Sequence, residues 1–557
     1  MRPGSGRPGR AVATLAWALL LGACDLEPGR VDDIVHADGV RPRRVETASG
    51  PVVGADAPAG QAFLGIPYAA PPVGPLRWQA PQPAPRWSEP RPATALGPSC
   101  LQNLALSAQL GRGGSGPTPG QEDCLTLNVY APAGAGPGDR KAVMVWIHGG
   151  AFVLGTSGQY DPSALARREG VLVVTLNYRL GALGFLAHPA LRGLPGEGAF
   201  ALQDQQAALR WVRDNIAGFG GDPHRVTLFG QSAGAWSACD QMAAPGAAGL
   251  FSRAILESGA CVTPETSLAA PEAEAGGVRM AEDLGCTGAD ALACLRALPA
   301  EDLVAAVPRR PGVTGPNSWA PATGLDVLPR APGAAFASGR FNRVPAIVGT
   351  NRDEGRLFSY LRGLRADLLT EASYAEEIGR LFGARAPAIL ANYPAAAFDT
   401  PRAAYAAVLT DGYFACPALA LDRAVGRAVP VYAYEFDDPD APFAPPTLPF
   451  AGGAGSYHTA EIAYVFDRPW ALADPDRFDP GQVRLSAAIQ DFWGSFARDG
   501  KPTGGAAWPR FRGAGDVLRL APDGIGPAAD VSRRHRCDVW EGEPDRGAGP
   551  GTLRRPD

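Results

Sequence analysis

Runs of apolar residues, separated by polar or glycine-rich segments, recur between residues 126 and 436. They are short and continuous, which is typical of strands buried on both faces of a parallel sheet. The strands predicted in this way are Thr126–Tyr130, Ala142–Ile147, Val171–Leu176, Val226–Phe229, Ala254–Leu256, Pro345–Gly349 and Val431–Phe436. A helical pattern over Ala199–Ile216 forms a crossover between two of them. The alternation predicts an α/β fold, with a large, mostly parallel central sheet flanked by helices.

Two further stretches, residues 262–340 and 355–425, are rich in alanine and helical in pattern. We expect them to be helical insertions over the edge of the sheet where the parallel strands end, rather than separate folding units. The sequence therefore predicts one domain over residues 43–540, followed by a flexible tail over residues 541–557.

The first 24 residues predict an export signal. Three arginines precede the apolar run Ala11–Leu21, which is too short to span a bilayer. The run ends in Leu-Gly-Ala-Cys24, a pattern typical of bacterial lipoproteins, whose cysteine is acylated and becomes the mature N-terminus. Ordinary secretory cleavage nearby, with Cys24 incidental, is the alternative. Residues 25–42 are polar and predict a tether, so we expect a membrane-anchored lipoprotein (periplasmic or at the cell surface), or otherwise a secreted protein.

Charge and cysteine content narrow the function. The net charge of −5 over 557 residues, without a basic stripe, argues against nucleic acid as a partner. The chain has nine cysteines, eight once Cys24 is set aside, and an oxidising compartment would favour disulfides among them. No pair has the C-x-x-C spacing of zinc or redox sites, so we expect neither a metal nor another cofactor.

The segment Gly230-Gln231-Ser232-Ala233-Gly234 lies between a predicted strand and an alanine-rich helical pattern. The G-x-S-x-G pattern in this setting is typical of a sharp turn that exposes a nucleophilic serine at the top of a sheet. The pentapeptide alone is weak evidence, because glycine is abundant in this chain. Ser232 is therefore a nucleophile only if the chain also supplies a base, an acid and an oxyanion hole.

An oxyanion hole is predicted at His148-Gly149-Gly150-Ala151, directly after a strand. Small residues there let backbone N–H groups approach a ligand closely. A plain glycine turn is the alternative, but the downstream Ser232 favours the oxyanion hole.

Elimination among the six histidines favours His458 as the base, because it follows Ser232 in the chain and lies in a glycine-rich loop. The acid should lie between the two, after a strand. Asp353 and Glu354 both follow Pro345–Gly349, and spacing does not separate them.

Long motifs in this chain resemble the type-B carboxylesterase family, the α/β-hydrolases that include cholinesterases and bacterial carboxylesterases. One motif runs from Phe219 to Gly234, and another is EDCLTLNVYAP at 122–132. The segments FLGIPYAAPPVGPLRW and ESG, at 63–78 and 257–259, fit as well. The resemblance covers roughly Val45 to Trp540 and is closest to the bacterial carboxylesterase branch.

The resemblance implies a Ser232–His458–Glu354 triad, with oxyanion donors at the N–H groups of Gly150, Ala151 and Ala233. It implies disulfides Cys100–Cys124, Cys286–Cys294 and Cys416–Cys537, which leaves Cys239 and Cys261 as expected buried thiols. It also implies structural ion pairs Arg77–Glu122 and Arg179–Asp204, and support of the histidine by Ser258 and Glu461.

Two departures narrow the expected substrate. Cholinesterases carry an acidic residue before the nucleophile, where this chain has Gln231, and the segment from Cys100 to Cys124 lacks the aromatic platform that binds quaternary ammonium. We therefore expect hydrolysis of neutral, small-molecule carboxylic esters through an acyl-enzyme. A lipase-like acylglycerol hydrolase and a non-catalytic binding protein are the alternatives. Trp319, Leu357 and Phe358 are candidates for the pocket lining.

Overall fold

The computed structural model describes residues 32–102, 120–263, 266–306, 319–363, 369–443, 453–470 and 472–540. Cys24, the predicted leader, most of the predicted tether and the predicted tail over 541–557 lie outside these ranges. The described strands are β1 Arg41–Thr47, β2 Gly50–Ala57, β3 Gly60–Pro67, β4 Arg91–Pro92, β5 Thr126–Ala131, β6 Lys141–Ile147, β7 Leu172–Leu176, β8 Gly221–Gln231, β9 Arg253–Glu257, β10 Leu268–Ala269, β11 Ala322–Thr323, β12 Ala346–Asn351, β13 Val431–Phe436, β14 Leu518–Leu520 and β15 Gly526–Pro527.

Thirteen of these strands form one twisted sheet, in the order β1-β2-β3-β5-β7-β6-β8-β9-β12-β13-β14-β15, with β4 beside β2. The neighbours from β7 through β14 are parallel. The pairs at the two ends of this order are antiparallel, and only the short β4 pairs with β2 in parallel. Since parallel strands end at the same edge, the loops that follow β6, β8 and β12 meet there.

The sheet separates two apolar cores. Along β6, Val143, Val145 and Ile147 face one core, while Met144 and Trp146 face the other. A strand that is covered on both faces needs apolar residues at every position, which explains the continuous runs from which the strands were predicted.

The described helices are α1 Asp32–Val35, α2 Ser163–Glu169, α3 Gly181–Phe185, α4 Phe200–Asn215, α5 Ala233–Ala243, α6 Ala270–Asp283, α7 Ala291–Ala297, α8 Ala300–Ala305, α9 Pro332–Ala337, α10 Gly355–Gly363, α11 Glu371–Phe382, α12 Ala386–Asn392, α13 Pro401–Leu409, α14 Cys416–Gly426, α15 Ile462–Phe466, α16 Pro480–Asp499, α17 Val531–Arg534 and α18 Cys537–Trp540. The predicted crossover corresponds to α4. The first predicted insertion contains α6–α9 and also the two-stranded sheet β10–β11, and the second contains α10–α14.

A π-helical turn, Thr410–Ala415, joins α13 to α14 without a break. The combined segment Pro401–Gly426 is apolar and long enough to cross a membrane, but 83% of its most apolar window is buried inside the protein. It therefore packs as a core helix of the second insertion.

The ordered body reaches into the range predicted as a tether, residues 25–42. Helix α1 places Ile34 in the apolar core with 2% of its surface exposed, and β1 begins at Arg41. The polar composition of this range concealed one buried anchor residue.

Four disulfides cross-link the described chain. Those predicted from the resemblance, Cys100–Cys124, Cys286–Cys294 and Cys416–Cys537, are confirmed. The expectation of buried thiols at Cys239 and Cys261 is wrong, because these two residues form a fourth disulfide. Helix α5 and the segment after β9 bring the two Cα atoms within 5.7 Å, a proximity that sequence spacing does not reveal.

The two expected ion pairs are also present. The guanidinium of Arg77 donates to both oxygens of Glu122, at 2.7 and 2.6 Å. The guanidinium of Arg179 donates to both oxygens of Asp204, at 2.8 Å each, and this pair is buried. Such paired geometry satisfies charges that would otherwise be costly to bury.

Candidate active site

Ser232 lies at a sharp turn between β8 and α5, with φ 57° and ψ −125°. This backbone conformation is strained for a residue with a side chain, and such strain is concentrated at functional sites. The flanking glycines have no room for a Cβ. One on Gly230 would lie 2.6 Å from the carbonyl carbon of Gly234, and one on Gly234 would lie 2.0 Å from the carbonyl oxygen of Ile147. The predicted nucleophile turn is therefore present.

His458 and Glu354 form a buried pair. The Nδ1 atom of His458 lies 2.6 Å from Oε2 of Glu354, and the other carboxylate oxygen accepts the backbone N–H of Asn351 at 2.8 Å. Asp353 instead forms an ion pair with Arg356 at 3.1 Å. The structure thus brings Glu354 to the imidazole and directs Asp353 elsewhere.

The other ring nitrogen of His458 faces the nucleophile turn. Its Nε2 atom lies 3.4 Å from Nε2 of the side-chain amide of Gln231, the residue that precedes Ser232. Within the described ranges, no hydrogen bond joins Ser232 Oγ to His458. Catalytic hydrogen bonds are commonly long or poorly aligned in enzymes without substrate and tighten when substrate binds.

The loop after β6 carries the predicted oxyanion donors. Gly150, Ala151 and Phe152 have φ values of 115°, 54° and 62°, three successive left-handed residues. A Cβ on the preceding Gly149 would lie 3.1 Å from the Cβ of Ser232, so this loop is pressed against the nucleophile turn. Among the described hydrogen bonds, the N–H groups of Gly150, Ala151 and Ala233 have no acceptor, as expected of groups available to a ligand.

His148 belongs to the support of this loop. Its ring stacks on Tyr178 with centroids 4.4 Å apart, and its Nδ1 lies 2.8 Å from the carbonyl oxygen of Gly149. Burial lowers the pKa of His148 to about 4, although the hydrogen bond to Gly149 opposes the shift. A neutral, packed imidazole therefore supports the loop that carries the expected oxyanion donors.

Two further carboxyl groups, Glu257 and Glu461, lie in the interior behind the histidine. Ser258 donates to Glu461 at 3.3 Å, and Asn351 also donates to it. The indole N–H of Trp493 donates to Glu257 at 2.7 Å. Burial raises the pKa of Glu257 to about 8, and burial with the charges of Glu354 and Glu257 raises the pKa of Glu461 well above its ordinary value. Glu257 is therefore largely protonated at neutral pH, and the shift of Glu461 runs in the same direction.

Aromatic rings cover the imidazole. Phe358 and Phe414 each lie 4.9 Å from the ring of His458, centroid to centroid, and stack on each other at 5.6 Å. The prediction that Phe358 lines the substrate pocket stays a prediction. Leu357 is buried in the core on one face of the sheet, and Trp319 in the core on the other. Sequence analysis missed Phe414 and Asn351, because nothing in their local pattern distinguishes them from core residues. It included Glu257 in the ESG motif but assigned it no role.

Comparison with known proteins identifies the family. The model of the carboxylesterase family matches residues 41–540, nearly the whole described chain. The chain belongs to the carboxylesterase family. Its members are serine hydrolases, so this esterase hydrolyses carboxylic esters.

Individual relatives cover most of the esterase. Fumonisin B1 esterase of Sphingopyxis macrogoltabida is 35% identical over 95% of this chain and 94% of its own length. Para-nitrobenzyl esterase of Bacillus subtilis (strain 168) is 36% identical over 84% of this chain and 92% of its own. A solved structure described as a thermophilic PNB esterase matches with a TM-score of 0.75 and 32% identity, covering 89% of this chain and 99% of that one. These relatives support the α/β-hydrolase fold for the esterase.

Proposed function

We propose that this esterase hydrolyses neutral carboxylic esters through an acyl-enzyme, with Ser232 as nucleophile, His458 as general base and Glu354 as the acid of the triad. The observation that carries the proposal is the buried 2.6 Å contact between His458 and Glu354, beside the turn that holds Ser232. A serine hydroxyl is a poor nucleophile unaided and needs such a base.

In the proposed reaction, His458 Nε2 accepts the proton of Ser232 as Oγ attacks the ester carbonyl carbon. Glu354 keeps the proton on Nδ1 and stabilises the imidazolium that forms. The imidazolium then protonates the alcohol, the C–O bond breaks and an acyl-enzyme remains. A water molecule, deprotonated by His458, attacks the acyl carbonyl and releases the acid and free Ser232.

The carbonyl oxygen becomes negative in both tetrahedral intermediates. The N–H groups of Gly150, Ala151 and Ala233 would donate to it, and one such donor is worth about 3 kcal/mol in the transition state. The contact between Gln231 and His458 Nε2 would give way to the hydroxyl of Ser232 when substrate binds. No metal or other cofactor enters these steps.

Neutral substrates fit the surroundings of the triad. Phe358 and Phe414 give the histidine an apolar cover, and Gln231 presents a neutral amide where cholinesterases have a carboxylate. The relatives are named for chemically different esters, fumonisin B1, cocaine and para-nitrobenzyl esters among them.

Labelling with a fluorophosphonate probe tests the nucleophile. We expect the wild type to be labelled and Ser232→Ala to be inert, with turnover of p-nitrophenyl butyrate lost in parallel. Ser237→Ala is a matched control on the same helix, because Ser237 is buried and only accepts a hydrogen bond from Gln205. Unchanged turnover in Ser232→Ala would refute the mechanism.

A chain-length series of p-nitrophenyl esters tests the substrate class. We expect activity to peak at short and medium acyl chains. Activity that rises beyond twelve carbons and jumps when micelles form would replace this proposal with the lipase-like one.

We also propose that the esterase is exported and anchored through an acylated Cys24. The lipoprotein-type pattern at residues 21–24 and the four disulfides support this, since disulfides persist in oxidising compartments. Metabolic labelling with radioactive palmitate should mark the wild type and not Cys24→Ser. Label retained in the variant, or absent from both proteins, would refute the anchor.

A further inference from the structure

A second buried histidine, His535, lies between two carboxylates outside the proposed triad. Its Nδ1 atom is 2.6 Å from Oδ1 of Asp411, and its Nε2 atom is 2.7 Å from Oε1 of Glu435. Since both acceptors are carboxylates, each ring nitrogen donates a proton and the imidazole is a cation. Only 4% of its surface is exposed.

The remaining oxygens of this cluster are also paired. Tyr393 donates its hydroxyl to Oδ2 of Asp411 at 2.7 Å, and Arg534 donates to Oε2 of Glu435 at 2.6 Å. Trp540 donates its indole N–H to the hydroxyl of Tyr393 at 2.9 Å. All four carboxylate oxygens thus have a defined partner.

Each of the two carboxylates lies on an element next to the segment that holds Glu354: Glu435 is on β13, which pairs with β12, and Asp411 is on the Thr410–Ala415 turn. Glu435 lies on β13, opposite Thr350 of β12, and the next residue, Asn351, donates its N–H to Oε1 of Glu354. Asp411 is in the π-helical turn directly after Thr410.

That turn contacts the segment of Glu354 and also the ring of His458. Thr410 Oγ1 accepts the N–H of Gly355, the residue after Glu354, at 2.9 Å. Further along the turn, Phe414 packs on the ring of His458. The cation at His535 therefore joins the two elements between which the proposed acid of the triad is held.

We propose that the protonated His535 is a positioning residue for Glu354, because it holds β13 and the Thr410–Ala415 turn together. This inference rests on the proposed triad. His535 does not touch the reacting atoms, so its loss should lower kcat and leave KM nearly unchanged.

We call the contact that protonated His535 makes between β13 and the Thr410–Ala415 turn the clamp. It should be lost at alkaline pH. Burial alone would lower the pKa of His535, but hydrogen bonds and charges from Asp411 and Glu435 raise it to about 9. The other charged or titratable groups near this cluster are Tyr393, Arg534, Arg536 and Arg352, whose charge interacts with Glu435. Burial raises the pKa of Tyr393 above its ordinary value. When His535 loses its proton, one ring nitrogen has no hydrogen left to donate. The hydrogen bond from that nitrogen to its carboxylate is then lost.

The test is the pH dependence of kcat and kcat/KM between pH 6 and pH 10, with spontaneous ester hydrolysis subtracted. We expect a one-proton decline of wild-type kcat near pH 9. In His535→Gln this decline should disappear, with kcat at pH 7 already lower by on the order of ten-fold, because a small misplacement of a catalytic group is costly. Glu435→Gln removes one carboxylate and should move the decline to lower pH.

Trp540→Phe is the matched control. It removes a hydrogen bond from the same cluster but changes no titrating group, so the decline should stay near pH 9. A decline that is unmoved in both His535→Gln and Glu435→Gln would overturn the positioning role. If His535→Gln does not fold, Glu435→Gln decides the question alone. Failure of the proposed function is recognised separately, by a wild type that fluorophosphonate does not label.

Discussion

The disulfide Cys239–Cys261 is expected to stabilise both the fold and the nucleophile turn. Cys239 is on α5, two helical turns after Ser232, and Cys261 lies in the segment after β9. In that segment, a Cβ on Gly259 would be 2.6 Å from the carbonyl oxygen of Ser232, so the chain there packs directly on the turn. The perturbation is the double variant Cys239→Ala/Cys261→Ala.

The size of the effect follows from the length of the loop that the cross-link closes. With a separation of 22 residues, the loop entropy of the unfolded chain amounts to about 3 kcal/mol. An unfolding entropy of about 2.1 cal/mol/K per residue over roughly 500 folded residues converts this into a decrease in Tm of about 3 °C.

The assay compares this variant with Cys286→Ala/Cys294→Ala, which removes a cross-link of separation 8 from the first insertion. That control should lose about 2.5 kcal/mol by the same reasoning, but only the first variant should also lose kcat. Thiol titration of the denatured, unreduced mature chain should find no free thiol at Cys239 or Cys261. Two free thiols in the wild type, with an unchanged Tm in the variant, would refute the cross-link.

Three other substitutions test the site and its surroundings. Glu354→Gln should lower kcat by about 10³- to 10⁴-fold with little change in Tm, because the amide holds the wrong tautomer of His458; a smaller loss than ten-fold would contradict its role. Gln231→Glu places a carboxylate beside Nε2 of His458, and its negative charge favours the imidazolium. The acidic limb of the pH profile of kcat/KM should therefore move to higher pH. An unmoved limb would contradict the contact between residue 231 and His458. Asp240 is buried, neither of its oxygens has a partner among the described residues, and burial raises the pKa of Asp240 well above its ordinary value. The carboxyl group of Asp240 therefore lowers the stability of the fold increasingly as the pH rises above about 4. Asp240→Leu should raise the free energy of unfolding in urea by about 1–3 kcal/mol, and more at pH 8 than at pH 5. A lower free energy of unfolding at both pH values would contradict this account.

The sequence alone predicts those features that depend only on residues close together in the chain. The turn around Ser232 could be predicted because the tight backbone itself requires Gly230 and Gly234. The buried parallel strands could be predicted because both their faces are apolar. Helix α16 has a comparable local signal, because the side chain of Asp479 caps it by accepting the N–H groups of Gly481 and Gln482. It was not predicted, since it carries no candidate site residue.

Tertiary contacts, and not sequence spacing, distinguish the two candidates for the acid of the proposed triad. Asp353 and Glu354 are adjacent, so spacing could not separate them. The decision comes from Arg356, which pairs with Asp353, and from Asn351, whose N–H fixes Glu354. The pairing of β3 with β5 and the clamp at His535 likewise depend on partners far away in the chain.

Burial also controls the charge around the imidazole of His458, the base of the proposed triad, which no sequence pattern could reveal. Three carboxyl groups, Glu257, Glu354 and Glu461, lie in the interior near His458, with no arginine or lysine paired to any of them in the described chain. Were all three ionised, their combined charge would favour the imidazolium so strongly that the ring could not accept the proton of Ser232. Burial raises the pKa of Glu257 to about 8 and shifts that of Glu461 in the same direction, which favours the neutral, hydrogen-bonding form of both groups. In the proposed mechanism, Glu354, held by the N–H of Asn351, then balances the positive charge that the imidazole gains as Ser232 attacks.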